Sequence, residues 1–195
     1  MSRGRRRTYV FCVEGAWTRD LRASGTLRPV LELLSSHSGI RYLYRTCLTR
    51  EELFACVKKW TEKRYGAYKI LYLGFHGDPG IIQTDNGEVT LDELAEHLNG
   101  KATNRIIYFG SCATLDLDRR NLTRFLRKSG ALAVAGFLKD VNWLQAAAFE
   151  VLLLAAMQGR DFSGRWIRAI ERRVHLTTGR LPKELGFRLE YLPYY

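Results

Sequence analysis

The sequence has no C-x-x-C pair among its four cysteines, Cys12, Cys47, Cys56 and Cys112. That excludes the usual zinc-cluster and dithiol-motif spacings. With Cys12 and Cys56 set in apolar patterns, it points to reduced cytosolic thiols and not to a disulfide framework. Long hydrophobic runs are also missing. The most apolar stretch, "WLQAAAFEVLLLAAM" at 143–157, is interrupted by Gln145 and Glu150 and is too short to span a bilayer, so it predicts a buried helix. The opening "MSRGRRRTYVFCVEG" starts basic but reaches Glu14 after only a short apolar stretch, so no signal peptide is expected. No repeat, low-complexity tract or linker divides the chain. A single cytoplasmic domain over 1–195, with a basic arm at 1–7, is the expectation.

Acidic residues are in deficit. Against 31 Lys and Arg stand 20 Asp and Glu, leaving a formal charge of +11. Such an excess suits acidic partners (nucleic acid, anionic lipid or acidic protein), although an Arg-rich soluble surface is the simpler reading. Apolar residues make up 46% of the 195 and charged residues 26%, which excludes wholesale disorder and allows a proper core.

Periodicity organises the chain as alternating strands and helices. Continuous apolar runs at 8–13, 69–75 and 131–137 predict strands buried on both faces, and 40–45 and 105–110 also read as strands. Between them, helical spacing appears at 26–37, 49–64, 90–98, 119–128, 142–157 and 164–176, the last with Trp166, Ile167, Ile170 and Val174 on its inward face. Thr49 with Glu52, and Thr90 with Glu93, read as capping boxes. A hairpin is expected around Asn86-Gly87, and "GFRLEYL" at 186–192 alternates as an edge strand does. The pattern predicts an α/β fold: a mainly parallel sheet with helices on both faces and right-handed crossovers.

Two of the strands stop on reactive residues. "KILYLGFHGDPG" ends its run at His76, and "NRIIYFGSCATL" ends its run at Cys112. Functional groups in an open parallel sheet gather beyond the carboxyl ends of the strands, so these two side chains emerge on one edge. A thiol needs a nearby imidazole to become an effective nucleophile. Gly77 lets the backbone approach a substrate, and its N–H with that of Cys112 could form an oxyanion hole. Taken singly, a strand-end cysteine is usually a small buried hydrophobe and a lone histidine is usually structural. Their coincidence, each flanked by small residues, is what raises the catalytic reading.

The order hydrophobic strand, His-Gly, spacer, hydrophobic strand, small residue-Cys resembles the caspase-like cysteine peptidases: caspases, metacaspases, legumain, gingipains, separase and the bacterial CHAT proteins. "YLGFHG" and "IIYFGSCAT" carry the likeness, and "AVAGFLKDVNWLQAAAFEVLLL" is similar to the CHAT-type region after the fifth strand. The resemblance covers roughly residues 8 to 158 and implies the caspase–haemoglobinase fold, a three-layer sandwich around a six-stranded sheet whose last strand is antiparallel. It also implies a cysteine endopeptidase with Cys112 as nucleophile, His76 as general base and no cofactor or metal. Its substrate would be a protein partner, in bacterial defence or signalling, and any sensor or activator a separate polypeptide. The "QACRG" sequence of caspases and their basic P1-binding residues are absent, so an Asp preference is not expected. In the loop "GFLKDVNW", Asp140 is the candidate partner for a basic P1 residue, with strand alternation expected to send Lys139 to the other side.

Rival readings are a catalytically silent interaction module of the same fold, and a nucleic-acid-associated protein. The latter would use the "RGRRR" arm with Arg165, Arg168, Arg172 and Arg173. "GFHGDPG" lacks the Lys-Ser/Thr of a phosphate loop, and Glu14, Asp116 and Asp118 lack supporting metal-ligand spacing. The hairpin tip "TDNGE" reads as a solvated turn. Among the thiols, Cys112 is expected to react fastest, with Cys12 and Cys56 shielded and Cys47 ordinary.

Overall fold

The computed structural model describes residues 8–18, 20, 22, 25–159 and 164–192. The basic arm 1–7 lies outside the described residues. Six strands form the main sheet: β1 (Val10–Glu14), β2 (Tyr42–Thr46), β3 (Ile70–Gly74), β7 (Ile106–Phe109), β8 (Ala133–Phe137) and β9 (Phe187–Tyr191), in the order β2-β1-β3-β7-β8-β9. All neighbours are parallel except β8 and β9, which run antiparallel, as the resemblance implies, and β9 lies at the sheet edge, as the alternating C-terminal segment predicts.

Side-chain alternation along the buried strands divides the core in two. Val10, Cys12, Ile70, Tyr72, Ile106 and Tyr108 face one side, under α1 (Arg28–Ser38), α5 (Trp143–Ala156) and α6 (Gly164–Thr178). Phe11, Val13, Leu71, Leu73, Ile107 and Phe109 face the other, under α2 (Arg50–Trp60), α3 (Leu91–Leu98) and α4 (Arg119–Ser129). A short α7 (Leu181–Glu184) leads into β9. The result is a three-layer α/β sandwich. The four inner strands β1, β3, β7 and β8 are buried throughout because both of their faces are covered, whereas the edge strands β2 and β9 carry Arg45, Arg188 and Glu190 and are only partly buried.

Local chemistry sets the helix ends. Thr49 and Thr90 each accept a hydrogen bond from the backbone N–H three residues on, and Glu52 and Glu93 complete the two capping boxes. Asn142 accepts from the N–H groups of Leu144 and Gln145 at 3.1 Å and so starts α5. The helix expected over 49–64 stops at Trp60. A 3₁₀ turn at Lys63–Tyr65 follows, and the Trp60 indole donates to the Tyr68 carbonyl at 2.7 Å. In α6 the four residues expected inside, Trp166, Ile167, Ile170 and Val174, are buried, whereas Arg165, Arg168, Arg172 and Arg173 are exposed.

A second, three-stranded antiparallel sheet lies at the carboxyl edge: β4 (His76–Asp78), β5 (Ile81–Thr84) and β6 (Gly87–Thr90). The expected hairpin is β5–β6, with Thr84 opposite Gly87, so Asp85 and Asn86 make the turn. β4 is an addition that the sequence pattern did not announce, because three residues are too few to show a period. The hairpin tip is solvent-exposed from Asp85 to Glu88, as expected, and it is also anchored. Asn86 accepts from the Arg50 N–H at 2.9 Å and donates to Glu51 at 3.0 Å, and the Asp85 N–H donates to the Leu48 carbonyl at 2.8 Å, which docks the tip on the start of α2.

Candidate functional site

His76 and Cys112 stand at equal offsets from one rung of the sheet. Leu73 of β3 pairs with Phe109 of β7, and His76 and Cys112 each lie three positions further along. Both therefore sit at the carboxyl edge, on adjacent strand ends. His76 is exposed and Cys112 is half-buried, so the edge is open to a ligand.

The connection between the two segments is close backbone packing. A Cβ placed on Gly77 would lie 2.2 Å from Thr114 Oγ1, 2.9 Å from the Cys112 carbonyl oxygen and 3.0 Å from Ser111 Cβ. Only glycine fits there. The His-Gly and Ser-Cys segments thus touch through Gly77 and the loop that carries Cys112, a backbone contact and not a meeting of the His76 and Cys112 side chains.

That loop is held on every side. Ser111 and Thr114 share a hydroxyl–hydroxyl bond of 2.8 Å, and Thr114 Oγ1 lies 3.2 Å from both the Ile81 and the Cys112 carbonyl oxygens. The N–H of Gly80 donates to the Thr114 carbonyl at 3.1 Å. Ala113 and Leu115 donate to the carbonyls of Lys139 and Phe137 at 3.2 and 3.1 Å, and Arg188 of β9 donates to the Leu117 carbonyl at 2.7 Å. Ala113 itself has φ 53°, a left-handed conformation that costs an L-residue roughly 1–2 kcal/mol. Strain of this kind persists where the surroundings over-determine it, and it clusters at functional sites.

On the histidine side, a group the sequence did not reveal supplies the orientation. His76 Nε2 lies 2.8 Å from the Trp17 carbonyl oxygen, and the two rings meet edge-to-face at 5.4 Å. A carbonyl oxygen only accepts, so Nε2 must carry the hydrogen. In the neutral ring Nδ1 then keeps its lone pair, ready to take a proton.

Trp17 is placed by Glu14, the last residue of β1. One carboxylate oxygen of Glu14 accepts from the Trp17 indole N–H in a short hydrogen bond and from the Leu27 N–H at 2.6 Å. The other accepts from the Thr26 hydroxyl at 2.7 Å and, in a short hydrogen bond, from the Tyr44 hydroxyl. Four donors satisfy a carboxylate that is only 1% exposed, as a buried charge requires. Glu14 therefore ties together the turn after β1, the start of α1 and strand β2. Asp118, grouped with it in the sequence as a metal candidate, instead caps α4 by accepting from the Asn121 N–H at 2.7 Å. Among the described residues, no group of three or more His, Cys, Asp or Glu is placed to hold an ion.

Below the edge lies a second buried carboxyl. Glu150 of α5 accepts from the Tyr108 hydroxyl at 2.8 Å, and a Cβ on Gly110 would lie 3.1 Å from the same carboxyl oxygen. Burial pushes its pKa up to about 7, against the downward pull of the Tyr72 and Tyr108 hydroxyls.

Asp140 is exposed in the loop between β8 and α5, which touches the Cys112 loop through the Lys139 carbonyl. β8 ends at Phe137, so strand alternation does not govern these side chains, and Lys139 and Asp140 are both exposed. What separates them is packing. The Lys139 stem lies beside Gly186, at 3.2 Å from where a Cβ would stand. Next to this loop, Trp143 and Leu144 are exposed apolar residues at the start of α5.

The thiols depart from expectation. Cys12 is fully buried, and burial raises its pKa. Cys47 is buried as well, and a hydrogen bond to Cys56, followed by burial, raises it further. Cys56 is half-exposed, and the same bond lowers it to about 7, with Lys59 and Arg45 assisting. Shielding of Cys56 and an ordinary Cys47 are both corrected. The sequence could not show this, because the two thiols face each other across the β2–α2 connection without a motif spacing.

A family profile spans almost the whole chain, matching residues 7–191, and describes a family of unknown function (DUF6642). The chain belongs to that family. Among curated proteins, none matches it. In this DUF6642 member no helix of the described residues is long and apolar enough to cross a membrane.

Proposed function

We propose that this DUF6642 member is a caspase-like cysteine endopeptidase that cleaves a protein partner, with Cys112 as nucleophile and His76 as base and acid. One observation carries the reading. The Trp17 carbonyl fixes His76 with Nδ1 as its free nitrogen, on the same strand edge that presents Cys112 from a strained, fully tethered loop.

In the proposed cycle, His76 Nδ1 takes the Cys112 thiol proton as sulfur attacks the scissile carbonyl carbon. The N–H groups of Gly77 and Cys112 stabilise the oxyanion. His76 then delivers its proton to the leaving amine, and a Cys112 thioester remains. Water, deprotonated by His76, attacks the thioester carbon and releases the acid with return of the thiol. The imidazolium formed in each step stays bonded to the Trp17 carbonyl through Nε2–H. The substrate lies along the loop after β8, where Asp140 meets a basic P1 side chain and Trp143 and Leu144 offer apolar surface.

Cleavage of a denatured-protein library, with fragments identified by mass spectrometry, tests the assignment. Cys112→Ala should abolish cleavage with folding intact, and His76→Ala should lower it by roughly 10²–10⁴-fold. Cleavage that persists in purified Cys112→Ala would refute the proposal.

A further inference from the structure

Away from the His76–Cys112 edge, Cys47 and Cys56 face each other with their sulfurs 3.4 Å apart. Cys47 follows β2 and is buried, whereas Cys56 sits on the second turn of α2 and is half-exposed. Their contact forms one wall of a cleft of about 440 Å³, with Phe11 and Tyr65 as apolar lining and Arg45 and Lys59 as cationic groups. The cleft also contains Glu52, one of whose carboxylate oxygens accepts from the N–H groups of Leu48 and Thr49 at 2.7 and 3.2 Å, and whose charge opposes ionisation of Cys56 more weakly than Lys59 and Arg45 favour it.

We propose that Cys47 and Cys56 form a redox-active pair, with Cys56 as the attacking thiolate and a small disulfide bearing carboxylates as the oxidant. Three features converge on it. The two thiols are adjacent, only one of them is reachable from solvent, and the reachable one stands beside two cationic side chains. A hydrogen bond from the Cys47 thiol stabilises the Cys56 thiolate, and Lys59 and Arg45 add to this. Cys56 is then ionised more readily than an ordinary thiol.

The reaction runs in two exchanges. Cys56 Sγ attacks one sulfur of the oxidant R–S–S–R, the S–S bond breaks, and RS⁻ leaves and is protonated. Cys56 now carries a mixed disulfide and no negative charge. The hydrogen bond that held the proton on Cys47 is lost with that charge. Cys47 gives up its proton and attacks Cys56 Sγ, expelling the second RSH. Two protein thiols are oxidised to one disulfide, and one small disulfide is reduced to two thiols. Arg45 and Lys59 attract the carboxylates of the oxidant, as cationic groups near a thiolate do. None of these steps uses Cys112 or His76.

The test uses the full chain carrying Cys112→Ser, so that the proposed nucleophile takes no part, with oxidised glutathione as the probe. After incubation near neutral pH, the thiol count of the denatured protein should fall by two, and peptide mapping should show a Cys47–Cys56 cross-link. With Cys47→Ser added, a mixed disulfide should accumulate at Cys56. Adding Cys56→Ser in its place should leave Cys47 reduced. Replacing Arg45 and Lys59 by Gln should slow the reaction with oxidised glutathione several-fold more than that with an uncharged disulfide such as hydroxyethyl disulfide. An unchanged thiol count, a cross-link through Cys12, or a mixed disulfide that persists at Cys56 while Cys47 is intact overturns the proposal. The cross-link map of the Cys112→Ser protein alone decides the matter if a further variant fails to fold.

Discussion

The carbonyl oxygen of Trp17 lies 2.8 Å from Nε2 of His76, and the indole of the same residue is bound to the buried carboxylate of Glu14. One residue thus links the buried carboxylate at the end of β1 to the histidine that opens β4, just beyond β3. In the proposed peptidase, Glu14 is a positioning residue that acts through Trp17.

Removing that carboxylate should therefore cost both fold and activity. Glu14→Ala leaves four donors without their acceptor, and each unsatisfied buried group costs about 1–3 kcal/mol. Glu14→Gln is milder, because the Thr26 and Tyr44 hydroxyls can turn to accept from the amide. We expect kcat to fall in both variants, more in Ala, with KM nearly unchanged. Steady-state kinetics on variants shown to be folded checks this. A change confined to stability would make Glu14 purely structural.

Gly77 should tolerate no side chain. The Cβ of Gly77→Ala would press on Thr114 Oγ1 and the Cys112 carbonyl, and overpacking of that kind typically costs about 1–3 kcal/mol. Chemical denaturation should report the loss, and displacement of the Cys112 loop should lower activity. Wild-type stability in Gly77→Ala would mean that the two segments lie further apart.

Glu150 should make the protein less stable as pH rises. Its folded pKa is raised to about 7, whereas a glutamate in the unfolded chain ionises near 4.3. Its favourable contribution is fully present below the unfolded value and is lost as pH climbs through the folded value. Linkage puts the change at about 2 to 3 kcal/mol between roughly pH 5 and pH 8. Urea unfolding of the wild type should show this slope, and Glu150→Gln, which cannot ionise, should flatten it. Equal slopes in the two proteins would contradict the assignment.

How much of this the sequence could convey depended on range. The capping boxes at Thr49 and Thr90, the buried strands and the inward face of α6 are local patterns, and they appear where expected. The placement of His76 and Cys112 on one edge was legible because a parallel sheet delivers strand ends to one edge. The Glu14 hub was not, since its donors come from Trp17, Thr26, Leu27 and Tyr44, and the group that orients His76 is a main-chain carbonyl with no residue signature. The same holds for Cys47 and Cys56, which only the fold brings together.

Asp140 should set the P1 preference towards Arg or Lys. Removing one partner of a charge-assisted pair lowers such a preference by roughly ten- to a hundred-fold. Profiling wild type and Asp140→Ala on Arg, Lys, Ala and Asp substrates gives the answer. An unchanged preference, or a wild type that takes Asp best, would mean that other residues build the pocket.

The most direct measurement of the central claim is covalent capture by an acyloxymethyl-ketone library varied at P1, with the modified residue located by peptide mass spectrometry. We expect the wild type to be alkylated at Cys112 in a P1-dependent manner, His76→Ala to react far more slowly at the same sulfur, and Cys112→Ala to be left unmodified by the preferred probe. Labelling of Cys56 in place of Cys112, or Cys112 labelling that does not depend on His76, would contradict a Cys112–His76 peptidase.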